Sequence, residues 1–160
     1  TVYDSSSEPL RSREGKVFSL AANEDWFGWY ENGAFHMEHR TDGDSFILDA
    51  EPEAGVFSAG GNFFSVTGEQ GTDIYYRDVL VVENAVSWGE QNGFFVAFSE
   101  KNGPIIFRMD GEKYYESPYS EGMVYICGEL LAVSRGNYCV IMDSQGREVK
   151  KYLLGAYVDD

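Results

Sequence analysis

The residues of this chain that could do chemistry are His36 and His39, Cys127 and Cys139, scattered arginines, and carboxylates in large excess. His36-Met-Glu-His39 invites a metal reading. On an extended segment, however, an odd spacing sends two side chains to opposite faces. A shared metal wants a spacing of two on a strand or four on a helix. The pair is therefore expected to be structural, and no metal or other cofactor is expected. Asp42-Gly-Asp44 offers two carboxylates without the full ligand spacing of a calcium loop, and reads as a turn.

Cys127 and Cys139 fall on what read as the first and third strands of one sheet, with the second between them. Two strand spacings are roughly 9.6 Å, beyond the ~7 Å over which Cα atoms can be bridged. Both are expected to be free, buried thiols. No histidine lies near enough in sequence to activate either as a nucleophile. Arg11, Arg13, Arg40, Arg77, Arg108, Arg135 and Arg147 do not plainly converge, as an arginine-lined catalytic cleft would need. No glycine-rich phosphate loop opens a helix, and no serine nucleophile elbow occurs. Glycoside hydrolysis needs a carboxylate pair at a defined separation, and no pair stands out. The chain is not expected to be an enzyme.

Charge and composition set the class. The 12 basic residues face 27 acidic ones, a net of −15, which repels phosphate backbones and argues against nucleic acid as a partner. The same balance favours a basic partner, and it also serves solubility. No apolar run approaches the ~18 residues of a membrane span, so direct membrane insertion is not expected. The 11 Tyr, 11 Phe and 3 Trp, with 18 Gly and 4 Pro, favour short strands and tight turns. Residues 1–16 are polar and aperiodic, poor strand material, and read as an arm or linker.

From residue 17 onward the sequence repeats. "WFGWYENGAFHMEHRTDGDSFIL" from Trp26, "FFSVTGEQGTDIYYRDVLVV" from Phe63, "FFVAFSEKNGPIIFRMDGEKYY" from Phe94 and "LLAVSRGNYCVIMDSQGREVKKYL" from Leu130 align on an apolar pair followed by strand, turn and strand. Before each lies a shorter apolar run: "VFSLA", "GVFSA", "AVSWG" and "MVYIC". This predicts four units of four strands, near residues 17–50, 55–83, 85–118 and 122–154. Asn32-Gly33 and Asn102-Gly103 suit hairpins in which both central residues take positive φ. Asp42-Gly43, Asp110-Gly111 and Asp143 to Gly146 recur between third and fourth strands, where the Asp side chain can cap the turn. In each of Phe63-Phe64, Tyr75-Tyr76 and Tyr114-Tyr115, one ring is expected inward and one outward, into the gap between neighbouring units.

This pattern resembles the four-stranded blades of β-propellers, in the broad manner of WD40 and quinoprotein-type repeats, over roughly residues 17–154. It lacks the Trp-Asp and Gly-His signatures of WD40, and its repeats are shorter than the ~40–45 residues usual there. The resemblance implies an all-β fold of about four short antiparallel blades, either a small closed propeller or an arc of a larger one. "GAYVDD" at the end could begin a further first strand, so additional blades of a larger parent chain are an expected partner. A two-sheet sandwich is the competing fold.

In propellers the loops joining second to third strands share one face with the loops joining successive blades. Here those loops carry Glu31, Glu51, Glu53, Glu69, Glu83, Glu100 and Glu121. The expected function is a non-enzymatic binding or scaffold module that docks a basic protein or peptide on that acidic face. The alternatives are an acidic inhibitor or immunity-type protein masking a basic toxin or nuclease site, and a carbohydrate-active propeller. A bacterial chain displayed outside the cell or at its envelope is the expected setting.

Overall fold

The computed structural model describes residues 2–3, 9–11, 20–22, 24–51, 54–117, 122–128, 130–143 and 145–154, and these contain strands and turns but no helix. In the polar arm, β1 (Val2–Tyr3) and β2 (Pro9–Arg11) pair antiparallel. That corrects the expectation that these residues make no strand: two extended segments a few residues apart can satisfy each other's backbone groups whatever their side chains.

The remaining strands form four sheets in chain order. Blade I is β3 (Leu20–Ala22), β4 (Trp26–Glu31), β5 (Ala34–His39) and β6 (Ser45–Leu48). Blade II is β7 (Gly55–Gly60), β8 (Phe63–Gly68), β9 (Gly71–Tyr76) and β10 (Val79–Val82). Blade III is β11 (Ala85–Gln91), β12 (Phe94–Ser99), β13 (Pro104–Arg108) and β14 (Lys113–Glu116). Blade IV is β15 (Val124–Cys127), β16 (Leu130–Arg135), β17 (Tyr138–Met142) and β18 (Glu148–Leu153). Every sheet is a simple antiparallel meander.

The apolar pair opening each second strand explains how the sheets stack. Successive side chains on a strand point to opposite faces, so each pair supplies one residue to each neighbouring interface. Trp26 of blade I meets Phe64 of blade II in a core with Tyr30, Phe35, Met37, Leu48 and Val56. Phe63 meets Phe95 of blade III, ring on ring at 4.0 Å, in a core with Ile74, Phe107 and Ile105. Val96 and Ile106 of blade III meet Leu131, Val133 and Val140 of blade IV, and Phe94 packs against this core. Three cores thus join four blades in sequence. Among the described residues no core joins blade IV to blade I, so the blades form an open arc.

The turns follow their chemistry with one exception. Asn32 and Gly33 take φ of 53° and 87°, the two positive values of a type I′ hairpin. Asn92 and Gly93 do the same between β11 and β12. Asn102 and Gly103 do not: Pro104 follows, and a residue before proline is pushed toward extended conformations. Instead Asn102 donates its N–H to Ser99 Oγ and its side-chain amide to Glu116. At the third-to-fourth connections Asp42, Asp110 and Asp143 each accept a backbone N–H from two residues on, and Gly43, Gly111 and Gly146 hold positive φ.

Three other expectations are sharpened or corrected. His36 stacks on Trp29 and His39 packs edge-on against Trp26, on opposite faces of blade I. Tyr75 joins the core between blades I and II, while Tyr76 packs into that between II and III. Tyr114 and Tyr115 instead both pack on the core between III and IV, because a bulge between Ile106 and Phe107 breaks the alternation along β14. Cys127 and Cys139 are free, as the intervening β16 requires, but Cys127 is exposed and Cys139 only half-buried. Both lie on the face of blade IV that no described sheet covers.

Phe95→Ala should remove a fully buried ring from the middle core and destabilise the protein by about 3–5 kcal/mol, read as a fall in the urea midpoint. The Asp turns make a second, pH-dependent prediction. The Arg147 guanidinium and backbone N–H groups hold the Asp143 carboxyl below its ordinary value. A depressed folded-state pKa contributes stability above the unfolded carboxylate pKa, and that stability is lost as pH falls through the folded value. Asp143→Asn should therefore lower the urea midpoint at neutral pH, and the difference from wild type should vanish in strong acid.

Candidate functional site

Each meander runs its strands alternately in opposite directions, so the hairpins β4–β5, β8–β9, β12–β13 and β16–β17 emerge at the same end as the connections between blades. The other end carries the Asp turns. The two ends are built differently.

The Asp-turn end ties each blade to the next. Trp26 Nε1 donates to Asn62 Oδ1 at 2.8 Å, and Arg77 of blade II reaches Asp44 of blade I at 2.6 Å while lying over the Trp26 and Phe46 rings. The Tyr76 ring sits where a Cβ on Gly111 would be, an approach that only glycine at φ +89° permits. Asn92 donates its amide to the Ile126 carbonyl at 2.6 Å, and the Tyr114 hydroxyl donates to the Asp143 carbonyl.

The opposite end opens into clefts. The larger, about 520 Å³, lies between blades I and II and is bounded by the loops at 49–54, 68–71 and 83–84. Its lining includes the carboxylates of Asp49, Glu51, Glu69, Asp73 and Glu83, with Gln70, Asn84 and Tyr75, and among the described residues no lysine or arginine. Asp73 holds the loop wall in place by accepting the Asn84 N–H at 2.9 Å. Gly71, at φ +136°, lets the Asn84 side chain come close: a Cβ there would lie 3.0 Å from Asn84 Oδ1. At the floor, the buried Tyr75 hydroxyl donates to the Asp49 carbonyl at 3.5 Å. Burial first, then the charges of Asp73 and Asp49, push the Tyr75 pKa up, which keeps its proton in place as a donor.

A smaller cleft of about 240 Å³ lies between blades II and III. There Glu83 and Glu116 are accompanied by Lys101 and Lys113, and Lys113 is bound to Glu116 at 2.7 Å. That cleft carries both signs of charge.

Of the glutamates singled out in the sequence, Glu51, Glu69 and Glu83 come together in the larger cleft. Glu31 stands at the same end but on the β4–β5 hairpin, where its carboxylate accepts Trp29 Nε1 at 3.3 Å. Glu100 is exposed on the β12–β13 loop and lines neither cleft. Glu53 and Glu121 lie outside the described residues. Asp49 and Asp73 escaped a reading that drew on loop glutamates alone. Asp73 pairs with Val66 and so shares the face of blade II turned to blade I, a placement fixed by the register between β8 and β9.

No protein-family model matches this chain, and no curated protein matches it either. Solved structures do show likeness. They include Hsv2 from Kluyveromyces lactis, with a TM-score of 0.35 and 13% identity over 81% of this chain and 48% of that one. Apo AztD from Citrobacter koseri gives a TM-score of 0.39 and 11% identity over 86% and 46%. The WD40 domain of Toxoplasma gondii coronin gives 0.36 and 12% over 88% and 46%. The chain spans about half the length of each of these. Its architecture rests on its own sheets and cores: four four-stranded antiparallel meanders stacked face to face in chain order make it a β-propeller-like repeat protein, an open arc of four blades.

Proposed function

We propose that this protein is a non-enzymatic docking module that holds a basic peptide or protein surface at its cleft end. The observation that supports this reading is the cleft between blades I and II, where five carboxylates share about 520 Å³ with no lysine or arginine among the described lining residues. They line one cleft, so a cation within it stands closer to several carboxylates than the bulk screening length would allow for charges scattered over the surface. A lysine or arginine side chain entering the cleft exchanges water for several carboxylates at once, and Arg can engage them bidentately. The inter-blade ties at the opposite end hold the two walls, so the cleft is largely formed before a partner arrives, which limits the ordering cost of binding.

Titration with a short oligo-arginine peptide tests this. Binding should weaken as salt rises, and combining Glu51→Lys, Glu69→Lys and Glu83→Lys should cost at least about tenfold in affinity, roughly 1.4 kcal/mol. Exposed loop changes usually cost within about 0.5 kcal/mol of stability, so the fold should persist. The control reverses Glu24, Glu112 and Glu148, exposed acids outside the cleft, and changes net charge equally. An equal loss of affinity in the control would mean that bulk charge, not the cleft, attracts the peptide, and the reading would fail.

A further inference from the structure

The two clefts are neighbours with one residue in common. Glu83, on the connection from blade II to blade III, lines both. On one side of it the cleft between blades I and II is walled by carboxylates. On the other, the cleft between blades II and III has buried Val82 and Ile105 in its lining, together with Lys101, Lys113 and Glu116. There two ammonium groups balance two carboxylates, in a chain of net charge −15. The character of the surface changes across one exposed side chain.

The charges of the second cleft are not equivalent. Lys113 is committed to Glu116, 2.7 Å away. The Glu116 carboxylate also accepts the Asn102 side-chain amide at 3.0 Å, and Asn102 donates its N–H to Ser99 Oγ. These bonds tie the β12–β13 loop to β14 and hold that wall in shape. They also leave the Glu116 charge largely answered. Lys101, next to Asn102 on the same loop, is exposed and has no ion-pair partner among the described residues. Its ammonium is the charge of this cleft that a ligand can still use.

We infer that the cleft between blades II and III takes a carboxylate side chain of the same segment whose basic residue enters the acidic cleft, with Lys101 as its partner. This rests on the docking reading above and adds to it a second contact of opposite sign. The spacing follows from the stacking of the blades. Packed sheets lie about 10 Å apart, and so do the successive clefts between them. A free peptide favours the polyproline II conformation, in which about three residues complete a turn and advance about 9 Å. An acidic residue roughly three positions from a basic one therefore points to the same side at the right distance. A uniformly acidic surface would attract any polycation in any register. A change of sign within one segment's length fixes the register, because a shifted segment sets like charges opposite each other.

Fluorescence polarisation with labelled oligo-arginine peptides tests this. The peptides are extended at either end by a glycine spacer and then by Asp or Asn at the inferred spacing. Both chain ends are blocked, so the Asp side chain is the peptide's sole carboxylate. Bulk charge alone makes Asp weaken binding to a chain of net charge −15. The inferred contact makes it strengthen binding: in one of the two chain directions the Asp peptide should bind roughly threefold tighter than the Asn peptide, the scale of an exposed ion pair. Moving the Asp beside the arginines should abolish the gain. Lys101→Gln should remove it and Lys101→Arg should keep it, each measured against the Asn peptide on the same variant. Glu51→Lys with Glu69→Lys changes residues that line the acidic cleft and not its neighbour, and should weaken both peptides while preserving their ratio. An Asp peptide no tighter than its Asn counterpart in either direction, or a gain that survives Lys101→Gln, would overturn the inference and leave the acidic cleft's role standing. If no peptide bound, the docking reading would fall and this inference with it.

Discussion

Everything in this protein depends on the two-sidedness of its second strands. A sheet whose central strand carries large apolar residues on both faces gains stability from cover on both. Trp26-Phe27, Phe63-Phe64, Phe94-Phe95 and Leu130-Leu131 impose that condition at every repeat. Antiparallel meanders meet it most simply by stacking in chain order, because each short inter-blade connection delivers the next sheet onto the face that needs it. The stacked Phe63 and Phe95 rings show the condition met from both sides at once.

The division between the two ends follows from this stacking. Wedge-shaped blades sharing apolar faces still leave their loops to be satisfied, and the two sets of loops do so differently. Asp turns are compact, cap themselves, and leave Arg77, Asn62, Asn92 and Tyr114 free to bond across blade boundaries. At the other end the connection between blades I and II and the β8–β9 hairpin border an open cleft, crossed by the bond from the Tyr75 hydroxyl to the Asp49 carbonyl. Among the described residues that line this cleft the carboxylates have no lysine or arginine beside them, a cost in self-repulsion that solvation or a partner can offset. Rigid at one end and open at the other, the arc presents its loops as a scaffold presents a binding site.

The sequence made the architecture legible because its repeat and its turns carry separate physical signals that agree. Trp26, Phe63, Phe94 and Leu130 each begin a second strand, and the Asp-Gly turns behave as their side chains demand. What stayed hidden was context. Pro104 overrode the hairpin preference of Asn102-Gly103, and a one-residue bulge turned Tyr114 and Tyr115 to the same core. The cleft was legible only in part: loop position foretold Glu51, Glu69 and Glu83. It could not foretell that Asp73, on a strand, would aim into the same space, or that Glu31 and Glu100 would stand outside it. Those facts depend on the stagger between neighbouring blades, which no local pattern encodes.

Repeat proteins distribute stability through nearest-neighbour interfaces, so a unit covered on both sides is held more firmly than one covered on a single side. Blades II and III each contribute to two described cores, and blade IV to one. Blade IV also has the longest outer strand, β18, every residue of which is exposed. Among the described residues blade IV is therefore held less firmly than blades II and III, by one core and by bonds that include those from Asn92 and Tyr114. The contrast is one of cover, since the same apolar pattern of second-strand residues that gives blades II and III two cores gives blade IV one among the described residues.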